Sequence, residues 1–307
     1  MTYTKDDPRS SLATAAKPAG PKPSAEGVAA PGYFDFSLMA PDAVTSKGSE
    51  QWICRGQNLV VAYTQPRAGD VVWEGSTEFE QMLLLARPDS AVRVVAGGEE
   101  RSVAGEALII LPPGEGSIHA DGEGAVVQLL QSDEPGWAER ASNAASYAEP
   151  HPGVAQLEPW PEPVGGYRLR VYPMSEVPED PQRLGRIFRS RAFMVNFFKA
   201  GTGPRDSKKM SPHFHDDFEQ CSLTVAGTYV HHIQTPWGTD ADAWRPEEHV
   251  RVGSPSLTII PPPTIHTSQA IGRAENHLID IFSGPRVDFS SRPGWVLNAD
   301  EYPMPSE

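Results

Sequence analysis

Hydrophobic positions along this chain fall in short runs, each closed by Gly, Pro or Asp, and no 3.6-residue periodicity is sustained between them. In the first half the runs are QNLVVAYT, FEQMLLLA, AVRVVAG, EALIILPPG and GAVVQLLQ. Strands this short and regular predict an all-β sandwich or barrel architecture. The lack of long helical segments between them argues against an open α/β sheet. A second set of runs follows the passage DEPGWAERASNAASYAEPHPGVAQLEPWPEPVGG, whose Pro- and Ala-rich composition predicts a connector with one short helix around residues 137 to 147.

The two sets align with one another. EFEQMLLLA (78 to 86) lies against DFEQCSLTVA (217 to 226), so that Glu80 faces Glu219 and Gln81 faces Gln220. Upstream, ICRGQNLVVAY matches IFRSRAFMVNF, Arg55 facing Arg189; downstream, ALIILPPGEGSIH matches SLTIIPPPTIH. Matched blocks in the same order predict an internal duplication. The expected organisation is a flexible leader over 1–30, a first barrel over 31–132, a connector over 133–166, a second barrel over 167–284 and a tail over 285–307. The leader has few apolar residues to offset its ordering entropy.

Inside the second set, PHFHDDFEQCSLTVAG interrupts the apolar pattern with chemistry-bearing side chains. Alternate residues of a strand share a face, which places His213 and His215 together; Glu219 joins them if the intervening DDF keeps register. The same parity carries Cys221, Leu223 and Val225, which then supply an apolar wall for a substrate. The turn PPPTIH brings His266 to a neighbouring strand. Three imidazoles and one carboxylate suit Fe(II), Mn(II), Ni(II), Cu(II) or Zn(II), and do not suit Ca(II) or Mg(II). A single histidine is more often a surface or hydrogen-bonded core residue; four ligand types in this order point to a metal.

These residues resemble the cupin superfamily, in particular its two-domain members, whose motifs are G-x5-H-x-H-x3-4-E-x6-G and G-x5-P-x-G-x2-H-x3-N. His213, His215 and Glu219 match the core of the first motif, and Gly227 closes it one residue late. Gly253, Pro261 and His266 match the second, with two extra residues after the glycine; Ser207 departs from the first motif's opening glycine, and Pro263 and Ala270 depart from the second. The resemblance implies two double-stranded β-helix (jelly-roll) barrels in tandem and one divalent transition metal on His213, His215, Glu219 and His266. In the first half the corresponding positions are Glu74, Ser76 and Ser117, with His119 displaced, so that barrel is expected to hold no metal.

Between the motifs, TYVHHIQTPWGTDADAWRPEEHVRV predicts a hairpin turning at PWGTD. Adjacent residues face opposite ways, so one of His231 and His232 points inward. His231 and Tyr229 share a face and are candidates for general acid–base work. Trp237, Trp244 and Arg245 are candidates for clamping an aromatic or anionic substrate, alongside Cys221. Resemblance to duplicated cupins with one intact site favours an Fe(II) dioxygenase of a small organic acid, aromatic acids included. The alternatives are a Mn-, Zn- or Ni-dependent isomerase, decarboxylase or lyase, and a non-catalytic ligand-binding bicupin.

Composition narrows the partners. A net charge of −14 repels nucleic acid and anionic lipid, and a small-molecule substrate is expected instead. The amino-terminal stretch has no apolar signal core and no run is long enough to span a membrane, so a cytoplasmic protein is expected. Two cysteines, Cys54 and Cys221, fall in different halves, which makes a disulfide framework improbable. Nothing in the composition excludes a homo-oligomer.

Overall fold

A computed structural model describes residues 8–9, 27–178, 180 and 182–306; most of the expected leader lies outside them. The first half contributes β1 (Gly32–Asp35), β2 (Ala43–Val44), β3 (Glu50–Arg55), β4 (Leu59–Gln65), β5 (Val71–Thr77) and β6 (Gln81–Leu85). It continues with β7 (Ala91–Ala96), β8 (Glu99–Ala104), β9 (Ala107–Leu111), β10 (Gly114–Ala120) and β11 (Val126–Gln131). The second contributes β12 (Arg170–Pro173), β13 (Arg186–Arg189), β14 (Phe193–Phe197), β15 (Gly201–Thr202) and β16 (Gln220–Ala226). It ends with β17 (Tyr229–Gln234), β18 (Glu248–Val252), β19 (Ser256–Ile260), β20 (Ile265–Ala270) and β21 (Glu275–Ser283).

Each half folds a large sheet against a small one. The large sheets run β12-β9-β6-β11-β4-β3-β2 and β1-β19-β16-β21-β14-β13; the small sheets are β5-β10-β7-β8 and β18-β17-β20. The duplication holds to the level of register: Gln81 pairs with Leu111 where Gln220 pairs with Ile260, and Leu83 lies opposite Gln128 where Ser222 lies opposite Asp280. Strands β6, β9 and β11 are buried on both faces, because one face lines a barrel and the other packs on the opposite half. One apolar cluster therefore joins the two large sheets, with Met82, Leu84 and Leu129 meeting Phe193, Leu223 and Ile281.

The expected organisation needs correction in three places. Strand β1 joins the second barrel by pairing with β19, and β12 joins the first by pairing with β9, so each half lends an edge strand to the other. Such an exchange covers edges that would otherwise be open. The expected helix over 137–147 is two short 3₁₀ turns, Ala138–Arg140 and Ala144–Tyr147, since Asn143 between them spends its side chain on the Arg55 backbone (2.9 and 2.8 Å). The expected tail repeats this arrangement, with Asn298 making the same pair of bonds to the Arg189 backbone (3.0 and 2.7 Å). Connector and tail are thus two copies of one clasp. Asn298→Ala leaves a buried N–H and C=O of Arg189 unpaired and is expected to cost about 2–4 kcal/mol in urea unfolding; an unchanged midpoint would show that the clasp is dispensable.

Candidate metal centre

The histidine segment does not continue strand β16. Residues 211–217 take the place that β5 holds in the first barrel, and they touch β20 through the His213–His266 bridge (His213 N to His266 O, 3.0 Å; His266 N to His213 O, 2.7 Å). The first-barrel counterpart of that bridge is the Glu74–Ser117 pair of β5 and β10, as the sequence alignment expects. Because the chain bends at Asp216–Asp217 before β16 begins, the face shared by His213 and His215 does not carry through to Glu219.

His213, His215 and His266 are buried and converge, with their candidate ligand nitrogens all within 4.8 Å of one another. His213 Nδ1 donates to Ser211 O and His266 Nδ1 to Thr264 O, each at 2.9 Å. Carbonyls only accept, so both Nε2 lone pairs are left for the centre, the usual arrangement of a metal-ligating imidazole. Burial, reinforced by nearby cations, pushes all three pKa values down, His266 to about 4, which keeps the rings neutral. A divalent transition metal fits this donor set.

The fourth member is Gln220. Its Oε1 lies 2.8 Å from His215 Nε2 and 3.3 Å from His266 Nε2. Its Nε2 donates to Ser222 Oγ (2.9 Å) and Asp280 Oδ1 (3.1 Å), which fixes the amide oxygen toward the histidines. Glu219 turns the other way: its carboxylate accepts from Gln57 N (2.5 Å) and Tyr147 OH (3.0 Å), with His151 Nδ1 at 3.1 Å. That hydrogen bond raises the pKa of His151. The close approach needs Gly56, where a Cβ would meet Glu219 Oε2 at 2.6 Å. Glu219 is therefore a link between the halves and not a member of the histidine group.

The same one-residue offset reverses the expected wall. Cys221 and Leu223 face the core between the barrels, while Gln220, Ser222 and Thr224 face the second barrel's interior. Of the adjacent pair, His231 is the inward one, fully buried, with Nδ1 2.9 Å from Ser268 Oγ and Nε2 without a hydrogen-bond partner; burial pushes its pKa down to about 3. His232 faces outward, against His249 and Gln269. Tyr229 lies in a small apolar cluster with Val252 and Leu278. The β17–β18 hairpin forms, but its loop does not clamp the centre: exposed Trp237 stacks on Trp244 (4.6 Å), and Arg245 donates to the carbonyls of Val28 and Ala29.

The two barrel interiors differ in kind. In the first, Leu83, Leu85, Ala107 and Ile109 pack into an apolar core beside the buried Gln81–Gln128 pair (3.0 Å), which also leaves Gln81 Nε2 and Gln128 Oε1 without partners. In the second, the positions aligned with the four apolar residues are Ser222, Thr224, Ser256 and Thr258. Thr224 Oγ1, Thr258 Oγ1 and His231 Nε2 are buried there without partners. Buried polar groups are nearly always satisfied by protein, water or a bound molecule, so the second interior suits a polar occupant.

No family model matches the sequence, and no curated protein matches it. Solved structures do. An oxalate decarboxylase from Lactobacillus farciminis, solved as a formate complex, superposes with a TM-score of 0.56 at 13% identity over 83% of this chain and 86% of that one. A 7S globulin from Momordica charantia superposes at 0.52 and 12% identity, covering 83% and 84%. The coconut allergen cocosin gives 0.51 and 10%, covering 85% and 86%. The protein has the two-domain cupin fold, a tandem of double-stranded β-helix barrels, with one histidine triad in the second. No helix among the described residues is long and apolar enough to cross a membrane.

Proposed function

We propose that the second barrel holds one divalent transition metal on His213, His215 and His266, with the Gln220 amide oxygen beside them, in an enzyme that acts on a small organic acid. The carrying observation is the convergence of three buried imidazoles in an interior lined by Ser222, Thr224, Ser256 and Thr258, where the duplicate has Leu83, Leu85, Ala107 and Ile109 and no imidazole cluster among the described residues. Three imidazoles and an amide bring no negative charge to a divalent ion, so an anionic substrate would supply it. The Arg286 guanidinium, held by Asp288 (2.7 Å) over the Phe289 ring (3.7 Å), adds a fixed cation whose field reaches His215.

A bound metal would supply Lewis acidity, or oxygen activation if it is Fe(II). Fe(II)-dependent dioxygenation is the first reading, because imidazole donors suit iron and Phe218, stacked on His215 at 4.5 Å, shields the centre on one side together with Phe282. His231 favours a second one, a Mn-, Zn- or Ni-dependent decarboxylase, lyase or isomerase: a neutral imidazole with a free Nε2 on the same face as His266 can accept a hydrogen bond from a bound acid and orient it there. The fold itself does not choose, since an oxalate decarboxylase and globulins share it.

Metal analysis of protein purified without added metal, followed by oxygen-electrode assays on aliphatic and aromatic acids, separates these. Dioxygenation predicts bound iron and one O₂ consumed per substrate. Equal turnover without O₂ would replace it by the non-oxidative reading. An acid that binds saturably and is never converted would make the protein a binding bicupin.

A further inference from the structure

Each half of a duplicated chain is a control for the other, and one pair of surfaces differs. In the second half, residues 151–155 cross a surface formed by Asp217, Phe218, Glu219 and Pro262. Ala155 N donates to Asp217 O (2.8 Å), Asn58 Nδ2 donates to Ala155 O (2.8 Å), and a Cβ on Gly153 would lie 4.0 Å from Pro262. His151 fills the deepest point, with Nδ1 on Glu219 Oε1 (3.1 Å) and its ring stacked on Tyr147 (4.0 Å).

In the first half the aligned residues are Glu78, Phe79, Glu80 and Pro113, with Arg191 and Ala192 standing for Gln57 and Asn58. These six, together with Gln131, Pro159 and Tyr167, line a cavity of about 220 Å³. Glu80 is 6% exposed; its Oε1 accepts from Tyr302 OH (2.8 Å), as Glu219 accepts from Tyr147, but its Oε2 has no hydrogen-bond partner. Ser306, four residues beyond Tyr302 as His151 is beyond Tyr147, is exposed. The Arg191 guanidinium donates from Nε to Trp160 O (2.7 Å) and from Nη1 to the Tyr167 hydroxyl, which also lines the cavity, and its charge reaches Glu80. Desolvation holds the Glu80 carboxyl above its ordinary range, against the Tyr302 hydroxyl, the Arg170 and Arg191 guanidinium charges and the Arg191 backbone N–H, all of which favour its charged form.

We propose that this cavity is a second binding site, separate from the histidine triad, for a small molecule whose imidazole or amine N–H donates to the Glu80 carboxyl as His151 does to Glu219. The site does not depend on the proposed reaction.

The probe is imidazole, titrated calorimetrically into the protein as purified and into Glu80→Gln. Uptake by the triad is common to both, so the difference reports the cavity. A saturable component should weaken on the order of tenfold or more in Glu80→Gln, the loss of one charge-assisted hydrogen bond. Crystals soaked in imidazole should show the ring beside Glu80. Ala192→Leu, which fills the cavity without altering Glu80, should remove the same component and serves if Glu80→Gln does not fold. Equal isotherms for all the proteins, or soaked crystals without imidazole beside Glu80, would overturn the proposal.

Discussion

Protein carrying both His213→Ala and His215→Ala is expected to fall from about one bound transition-metal ion per chain to background, with its far-ultraviolet circular dichroism unchanged. Two of the three converging imidazoles are gone, and His266 with a neutral amide cannot retain an ion against a competing chelator. The fold should survive, because the triad sits on a bend and a bridge and the apolar cluster between the large sheets is untouched. The expected fall is to background and not to one half, since Glu74 and Ser117 occupy the corresponding place in the first barrel. A double variant that keeps stoichiometric metal would remove the centre from the triad, and anomalous scattering would then show where the ion lies.

How far the sequence led is best seen at single residues. The five first-half strands and the duplication were readable because short apolar runs bounded by Gly and Pro leave few alternatives to strands, and the aligned blocks predict the Glu74–Ser117 counterpart of the histidine bridge. Strand parity failed at Asp216–Asp217, where a bend shifts the face by one residue. A signal of that shift was present: counting from Gln220 instead of Glu219 makes the spacing to Gly227 regular, so the late glycine marks the inward residue. The clasp was also written twice, as Asn143-Ala-Ala-Ser-Tyr147 after Gly136-Trp137 and Asn298-Ala-Asp-Glu-Tyr302 after Gly294-Trp295. The exchange of β1 and β12 left no such mark, because an edge strand's residues suit either large sheet equally well.

The reassignment from Glu219 to Gln220 separates two adjacent residues by two different losses. Gln220→Ala removes the amide oxygen that lies between His215 and His266, and with it the link from those rings to Ser222 and Asp280. Metal affinity is expected to drop about 10- to 100-fold, the usual cost of losing such a supporting contact, while unfolding in urea changes little. Glu219→Gln should do the reverse. Its carboxylate receives the Gln57 amide, the Tyr147 hydroxyl and the His151 imidazole, all of them donors. An amide NH₂ turned toward that group meets donors on every side, so stability should fall by about 1–3 kcal/mol while metal affinity is retained. Chelator competition and urea titration on the same two proteins read both quantities. If Glu219→Gln releases the metal and Gln220→Ala does not, the carboxylate reaches the ion after all, and the offset at the bend does not describe the metal-bound protein.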